Sequence, residues 1–467
     1  MSSDIKKNLK RGIVIIFLSN IINMLFKIFI YIFQPKFLSI ETYAALQTFN
    51  LYFAYAGLLH FGYVDGMYLK FGGKNFDDLG KDELYKDAKL LKCIEIVTVI
   101  LLLIVSVLLK NCILFFASVA LLPGNMAAYY RMMFQATGQF KKYGRIMNFN
   151  TILLFIYNFV LIVWFRCDNY VYFIICEVII YYIIWIMLES KFYKAIDKKN
   201  KKVLFDKDYI LNNIKNGLPL TLGNLATNFF SSLDRWFIKI FLSTASFAYY
   251  SFAVSVETFL NIAITPITIT LYNYFCQTDN EKELNKVKKI VTMLAITIVS
   301  AVFPAKFILM NIMKKYIFSI NILMILFASK IFSIIIQGIY VNMYKAQKKQ
   351  KLYLKNLIIS IIIGLVTNTI ALTFFKVNEA FAIATVFTIF IWFLLCKKDF
   401  KIIKYDYKEI IGLVVLAITL VISGIAFNPV LGVIIYLSVV CIVIRINYYS
   451  EMKLVLTIIK NKLKKQR

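Results

Sequence analysis

Apolar runs of about 20 residues succeed one another along almost the whole chain, separated by short polar stretches. A run of that length spans a bilayer as an α-helix. Fourteen such spans are predicted, over 12–34, 43–64, 90–109, 112–135, 146–165, 169–189, 217–241, 246–275, 288–312, 316–344, 356–375, 379–396, 409–427 and 430–447. Membrane strands would instead show ~10-residue segments of alternating hydrophobicity. The pattern predicts an all-α polytopic membrane protein. The opening MSSDIKKNLKRG leads into the first span without a small-residue cleavage site, so that span reads as a retained helix. The mixed-charge stretch 74–92 reads as a solvated loop with an interfacial helix.

The polar stretches alternate in charge. The N-terminus, 70–92, 135–145, 190–215, 278–289, 345–355, 397–408 and the C-terminal tail hold most of the 54 lysines and arginines. The opposite loops hold only Lys36, Lys110, Arg166, Lys314, Lys315 and Lys376. Cytoplasmic loops are the Lys- and Arg-rich ones, so both termini are expected in the cytoplasm. The Lys, Ile, Asn and Phe bias suggests a bacterial genome, hence a multi-pass protein of the cytoplasmic (inner) membrane. The net charge of +29 is mainly this topology signal. It points to membrane lipid as a partner and not to nucleic acid. The outer loops are too short for a sizeable external domain, which argues against a membrane glycosyltransferase or polymerase.

Two halves can be laid over each other. Phe37-Leu38-Ser39 returns as Phe241-Leu242-Ser243, and Tyr43-Ala44 as Phe247-Ala248. Met133, Ala136, Lys141 and Tyr143 return as Met343, Ala346, Lys351 and Tyr353. The reading is two parallel six-helix repeats around a central cavity, 1–205 and 206–400, with an additional helix pair and basic tail over 401–467. Parallel repeats of this kind are a common transporter plan.

The first span of each repeat carries a polar stripe. Asn224, Asn228, Ser231, Arg235 and Lys239 are spaced four, three, four and four, which places them on one helical face. Span 1 does the same with Asn20, Asn23, Lys27, Tyr31 and Gln34. A stripe in lipid is costly unless it faces protein or water, so the two stripes are expected to line the cavity. Arg235, Lys27 and Lys330 are candidates to hold an anionic group, Arg through its planar fork and Lys as a point charge. Asp234, Glu257 and Glu177 are candidates to bind a coupling H+ or Na+, with interhelical pairing as the plainer alternative for all six. Glu257, Asn261 and Thr265 form an i, i+4 ladder, and Pro266 after it is the best hinge candidate. Arg131 reads as an interfacial anchor.

Other chemistry is excluded. The seven cysteines are scattered without a Cys-x-x-Cys pair, and His60 is the single histidine, so no metal site is expected. No Walker A, dinucleotide or HExxH motif is present, so no cofactor and no enzyme activity are expected. Energy for transport would come from an ion gradient, the membrane potential or the gradient of the substrate.

The segment NGLPLTLGNLATNFFSSLDRWFIKIFLSTASFAYYSFA resembles the polysaccharide-transport branch of the multidrug/oligosaccharidyl-lipid/polysaccharide (MOP) exporter superfamily. The resemblance rests on Gly217 and Pro219, the pair Asp234-Arg235, and Tyr250-Ser251. FLSIETYAALQTFNLYFAYAGLLHFGY and FQATGQFKKYGRIMNFN resemble the matching parts of the first half. It implies a Wzx-type flippase, which moves an undecaprenyl-diphosphate-linked oligosaccharide to the outer leaflet by alternating access for O-antigen, capsule or exopolysaccharide synthesis. Glycan polymerase and assembly proteins would be partners of a monomeric chain. Three other readings stand beside it: a lipid II or teichoic-acid precursor flippase, a cation-coupled multidrug exporter, and a non-transport scaffold of glycan assembly.

Overall fold

The computed structural model describes residue 26 and residues 29–72, 74, 76–137, 139–196, 206–277 and 280–453. Every regular element among them is helical. Residues 29–37 are helical. After them come α1 (Ile40–Phe53), α2 (Tyr63–Phe71), α3 (Lys81–Leu108), α4 (Cys112–Ala136), α5 (Phe140–Phe159), α6 (Tyr170–Ala195), α7 (Lys207–Phe241), α8 (Thr244–Thr258) and α9 (Asn261–Phe275). They continue with α10 (Glu281–Ile298), α11 (Val302–Ile312), α12 (Ser319–Ile335), α13 (Val341–Ala346), α14 (Gln350–Phe374), α15 (Asn378–Asp399), α16 (Tyr407–Ala426) and α17 (Pro429–Asn447). A π-turn over Ile336–Tyr340 joins α12 to α13.

Among the described residues, ten helices are long and apolar enough to cross a membrane. They match spans three to six and nine to fourteen. Span 1 falls largely outside the described residues. Span 7 lies within α7, whose Asn, Ser, Asp, Arg and Lys residues dilute its hydropathy. The continuous helices expected over 43–64 and 246–275 are corrected: each is a pair of shorter helices. The first breaks over 54–62, where Phe61 and Gly62 take positive φ of 52° and 89°. The second breaks at Phe259–Leu260, where the amides of Phe259 and Leu260 bond back three residues, to Val256 and Glu257. That break lies upstream of Pro266. The carbonyl a proline leaves free is the one four residues before it, so the proline does not sit at the turn itself. The interfacial helix expected in 74–92 is corrected too: after a short 3-10 turn the chain enters α3 at Lys81 and continues without interruption.

A broken helix at membrane depth must satisfy its freed backbone groups internally. The carbonyl of Ala56 accepts a bond of 2.9 Å from the Asn125 amide, and His60 Nδ1 accepts from the Gly62 N–H at 3.2 Å. In the second half the Asn342 amide donates to the Thr268 carbonyl at 2.8 Å, which ties α13 to the middle of α9 and not to the break.

The repeat is visible in the caps. Ser39 caps α1 by accepting from the Thr42 N–H, and its counterpart Ser243 caps α8 by accepting from the Ser246 N–H. Each such cap stabilises a helix by about 0.5–2 kcal/mol. Both helices of the matched pair end at a break. The segments α4 and α12–α13, which share the Met-x-x-Ala match, end at Ala136 and Ala346.

The chain divides into two compact units, residues 1–228 and 229–467, with the boundary inside α7. In the first, α4 is the central helix and packs against α1, α2, α3 and α6. In the second, α12 is central and packs against α8, α10, α15 and α16. The apolar window of α4 is 44% buried, whereas that of α12–α13 is 89% buried. The excess has a local cause, because the appended α16 lies along α12. Lys288 fixes α16 through bonds to both Glu409 oxygens, at 2.8 and 2.7 Å. Lys306 donates to the carbonyls of Gly424 and Phe427 at the other end, both at 2.6 Å.

Candidate functional site

α7 is 35 residues long, about 52 Å at 1.5 Å per residue. A hydrocarbon layer is about 30 Å thick, so part of this helix stands outside it. The Lys207 end, with Asp208, Asn212, Asn213, Lys215 and Asn216, is the polar one. The continuous helix puts Asn224, Asn228, Ser231, Arg235 and Lys239 on one face, as their spacing predicts. Asn224, Asn228 and Ser231 are exposed, and Arg235 and Lys239 are half-buried. The ammonium of Lys239 lies 5.3 Å from the centre of the Phe247 ring.

Asp234 and Arg235 are neighbours with different surroundings. Asp234 is buried and fully engaged. It accepts from the Tyr250 hydroxyl, from Thr385 at 3.0 Å and from the Arg235 N–H at 2.7 Å. It thereby ties α7 to α8 and α15. The side chain of Arg235 makes no ion pair among the described residues, and its Nε is buried without a hydrogen-bond partner. A buried, unpaired guanidinium nitrogen is costly, and an anionic ligand would satisfy it.

Two other expected residues have found each other. Lys330 Nζ of α12 lies 3.0 Å from Glu257 Oε1 of α8. The proposed anion ligand and the proposed ion-coupling carboxylate therefore neutralise one another. The i, i+4 ladder from Glu257 is divided by the break at Phe259–Leu260, and Glu257 turns to Lys330. Glu177 of α6 accepts from Tyr181 at 2.7 Å and from Tyr157 at 3.3 Å. Its neighbours are phenol hydroxyls, which stabilise a carboxylate without neutralising it. Arg131 is half-buried, its Nε donating to the Ala127 carbonyl at 3.3 Å. Asn20, Asn23 and Lys27 lie outside the described residues. Gln34, at the end of the same stripe, is buried and donates to Asn158 at 2.8 Å.

Sequence reading missed several buried polar groups of the first unit. Glu95 is wholly buried in α3, and the Asn125 amide donates to its two oxygens at 3.1 and 3.0 Å. Asp65 of α2 accepts from Thr221 of α7 and lies 4.0 Å from His60. The signal was present for Glu95, a lone carboxylate in an apolar run. It was absent for Asp65, which sits where the broken span hides its depth. Around it the backbones nearly touch. A Cβ on Gly217 would lie 1.9 Å from the Gly62 carbonyl oxygen, and one on Gly66 2.1 Å from that of Asn213. The Gly217 of the Gly-x-Pro opening is thus a packing requirement. Among the described residues no cluster of His, Cys, Asp and Glu is placed to hold a metal ion.

No family model matches this chain, and no curated protein matches it by sequence. Solved structures do match it. The lipid II flippase MurJ in an inward closed conformation aligns with a TM-score of 0.69 at 14% identity, over 94% of this chain and 100% of that one. A mutant of the Vibrio cholerae MATE transporter VcmN aligns at 0.49 with 13% identity, over 85% and 98%. An outward-facing multidrug resistance MATE family transporter of the MOP superfamily aligns at 0.46 with 12% identity, over 84% and 95%. The first of these likenesses establishes the fold alone: this chain folds as that solved structure does.

Proposed function

We propose that the protein is a flippase for an undecaprenyl-diphosphate-linked oligosaccharide, working by alternating access in the bacterial cytoplasmic membrane with both termini in the cytoplasm. The observation that carries this reading is Arg235. Its neighbour Asp234 is occupied by Tyr250 and Thr385, and Lys330 is occupied by Glu257, whereas the Arg235 Nε is buried and unpartnered. A diphosphate is a fitting partner for a planar guanidinium, which binds phosphate oxygens through paired N–H donors. Lys27, a cation on the polar stripe of the first repeat, is proposed to share the anion. Lys330 acts through Glu257, and that pair is proposed to be the ion-coupling element, opening when the carboxylate is protonated.

The test is the sidedness of the lipid-linked oligosaccharide in proteoliposomes, read by the access of an external enzyme. Translocation that falls in Arg235→Ala supports the reading. Full translocation by that variant at equal reconstitution removes Arg235 from the function.

A lipid II precursor is the second reading, favoured by the alignment with the lipid II flippase over nearly the whole of both chains. The mechanism would be the same and the head different. Complementation of strains lacking each pathway separates them. In either case the glycan polymerase or assembly machinery would receive the product.

A further inference from the structure

A second polar site lies at the Lys207 end of α7, away from Arg235. A cleft of about 470 Å³ is lined by Gly66, Leu69, Lys70, Tyr209, Asn212, Asn213 and Asn216. All belong to the first unit. Tyr209, Asn212, Asn213 and Asn216 fall at i, i+3, i+4 and i+7, so one flank of α7 presents three carboxamides to the cleft.

The charges around it are already balanced. Lys70 Nζ lies 2.5 Å from Glu83 and donates to the Tyr209 hydroxyl at 2.7 Å. Lys86 pairs with Asp206 at 2.8 Å, and that bond holds the Asp206 carboxyl below its usual range. The two ammonium groups lie 4.5 and 4.3 Å from the centre of the Tyr209 ring. The ring is clamped as a strut and does not serve as an open stacking platform.

The carboxamides are not balanced. Asn213 is 6% exposed, and its amide nitrogen is buried near the Tyr63 hydroxyl without a hydrogen bond of good geometry. Asn212 and Asn216 are exposed and make no side-chain hydrogen bond to a described residue. A carboxamide offers two donors and an acceptor on one plane. Three of them along one flank suit a ligand whose hydroxyls each donate and accept. The one lysine that lines the cleft, Lys70, is engaged by Glu83 and Tyr209.

We infer that this cleft docks the saccharide part of the substrate through Asn212, Asn213 and Asn216, separately from the group held at Arg235. The inference rests on the flippase reading above.

The experiment is binding to the full chain in nanodiscs, by native mass spectrometry, with two probes. One is the lipid-linked oligosaccharide extracted from cells that produce this protein, and the other is bare undecaprenyl diphosphate. The variant Asn212→Ala/Asn216→Ala removes exposed, unpartnered amides and favours the helix, so folding is preserved. It should weaken the oligosaccharide lipid about tenfold, the order of one or two lost hydrogen bonds, and leave undecaprenyl diphosphate unchanged. Asn213→Ser should add to that loss. Unchanged binding of both probes, or an equal loss of both, would overturn the inference while leaving the flippase reading intact. Wild-type protein that binds neither probe would overturn the flippase reading and this inference with it.

Discussion

Lys330 and Glu257 form an ion pair between the central helix of the second unit and α8, 3.0 Å apart, with their side chains 13% and 12% exposed. Two charges that sequence alone assigned to different tasks therefore share one. Breaking a buried pair from one side leaves the other charge uncompensated, at a cost of about 3–5 kcal/mol. Lys330→Met and Glu257→Gln should each lower the unfolding temperature in detergent. The double variant should recover much of the loss. Additive losses in this double-mutant cycle would show that the two residues act independently.

Arg235 should behave in the opposite way. Its side chain pairs with no carboxylate among the described residues, so Arg235→Ala should leave thermal stability within the scatter of other half-buried substitutions. Translocation should fall by roughly ten- to a hundredfold, the scale of one lost charged hydrogen bond. Arg235→Lys keeps the charge and loses the fork, and should fall in between. Equal loss of stability and transport would mark Arg235 as a packing residue.

Tyr250 tests the neighbouring carboxylate. The hydroxyl of Tyr250 and that of Thr385 both point at Asp234. Tyr250→Phe removes one donor from a buried carboxylate and should destabilise the second unit by about 1–3 kcal/mol. Asp234→Asn keeps an acceptor but leaves an amide nitrogen facing hydroxyls, and should cost a similar amount. Protection of α8 in hydrogen exchange is the readout. Unchanged protection in both variants would contradict the clamp.

Glycines on the same helix should respond differently. Gly217→Ala drives a methyl into the Gly62 carbonyl and the Gly66 backbone, whereas Gly223 has nothing within 4 Å of an added Cβ. The first should abolish folded yield. The second should be neutral or stabilising by about 0.5–1 kcal/mol, because alanine lowers the entropy of the unfolded chain. Size-exclusion profiles of the two purified variants decide this directly.

The helical class, the repeat and the polar face of α7 were legible in the sequence because periodicity and length carry them. Matched residues such as Ser39 and Ser243 were legible as a repeat but not as caps, since capping depends on where the helix starts. The breaks at 54–62 and 259–260 were not legible, as both lie in apolar stretches and neither contains proline. The partnerships of Asp234 with Thr385, Glu257 with Lys330, and Lys288 with Glu409 join residues more than 70 positions apart. Charge in one span cannot say which other span answers it. The carboxamides of α7 escaped notice for another reason. They lie before the apolar run, where asparagine is expected in any solvated approach.

The sheath that α16 provides for α12 has a consequence for lipids. In water such a cover would be held by apolar burial, but acyl chains solvate leucine as well as another helix does. Lys288 and Lys306 pin the first helix of the hairpin at its two ends, and the Tyr436 hydroxyl, donating to the Ile296 carbonyl at 2.7 Å, pins the second. Once docked, it takes the place that annular lipid would fill. The duplicated plan thus gives one unit a central helix clad by an appended hairpin, and the other a central helix with no such cover.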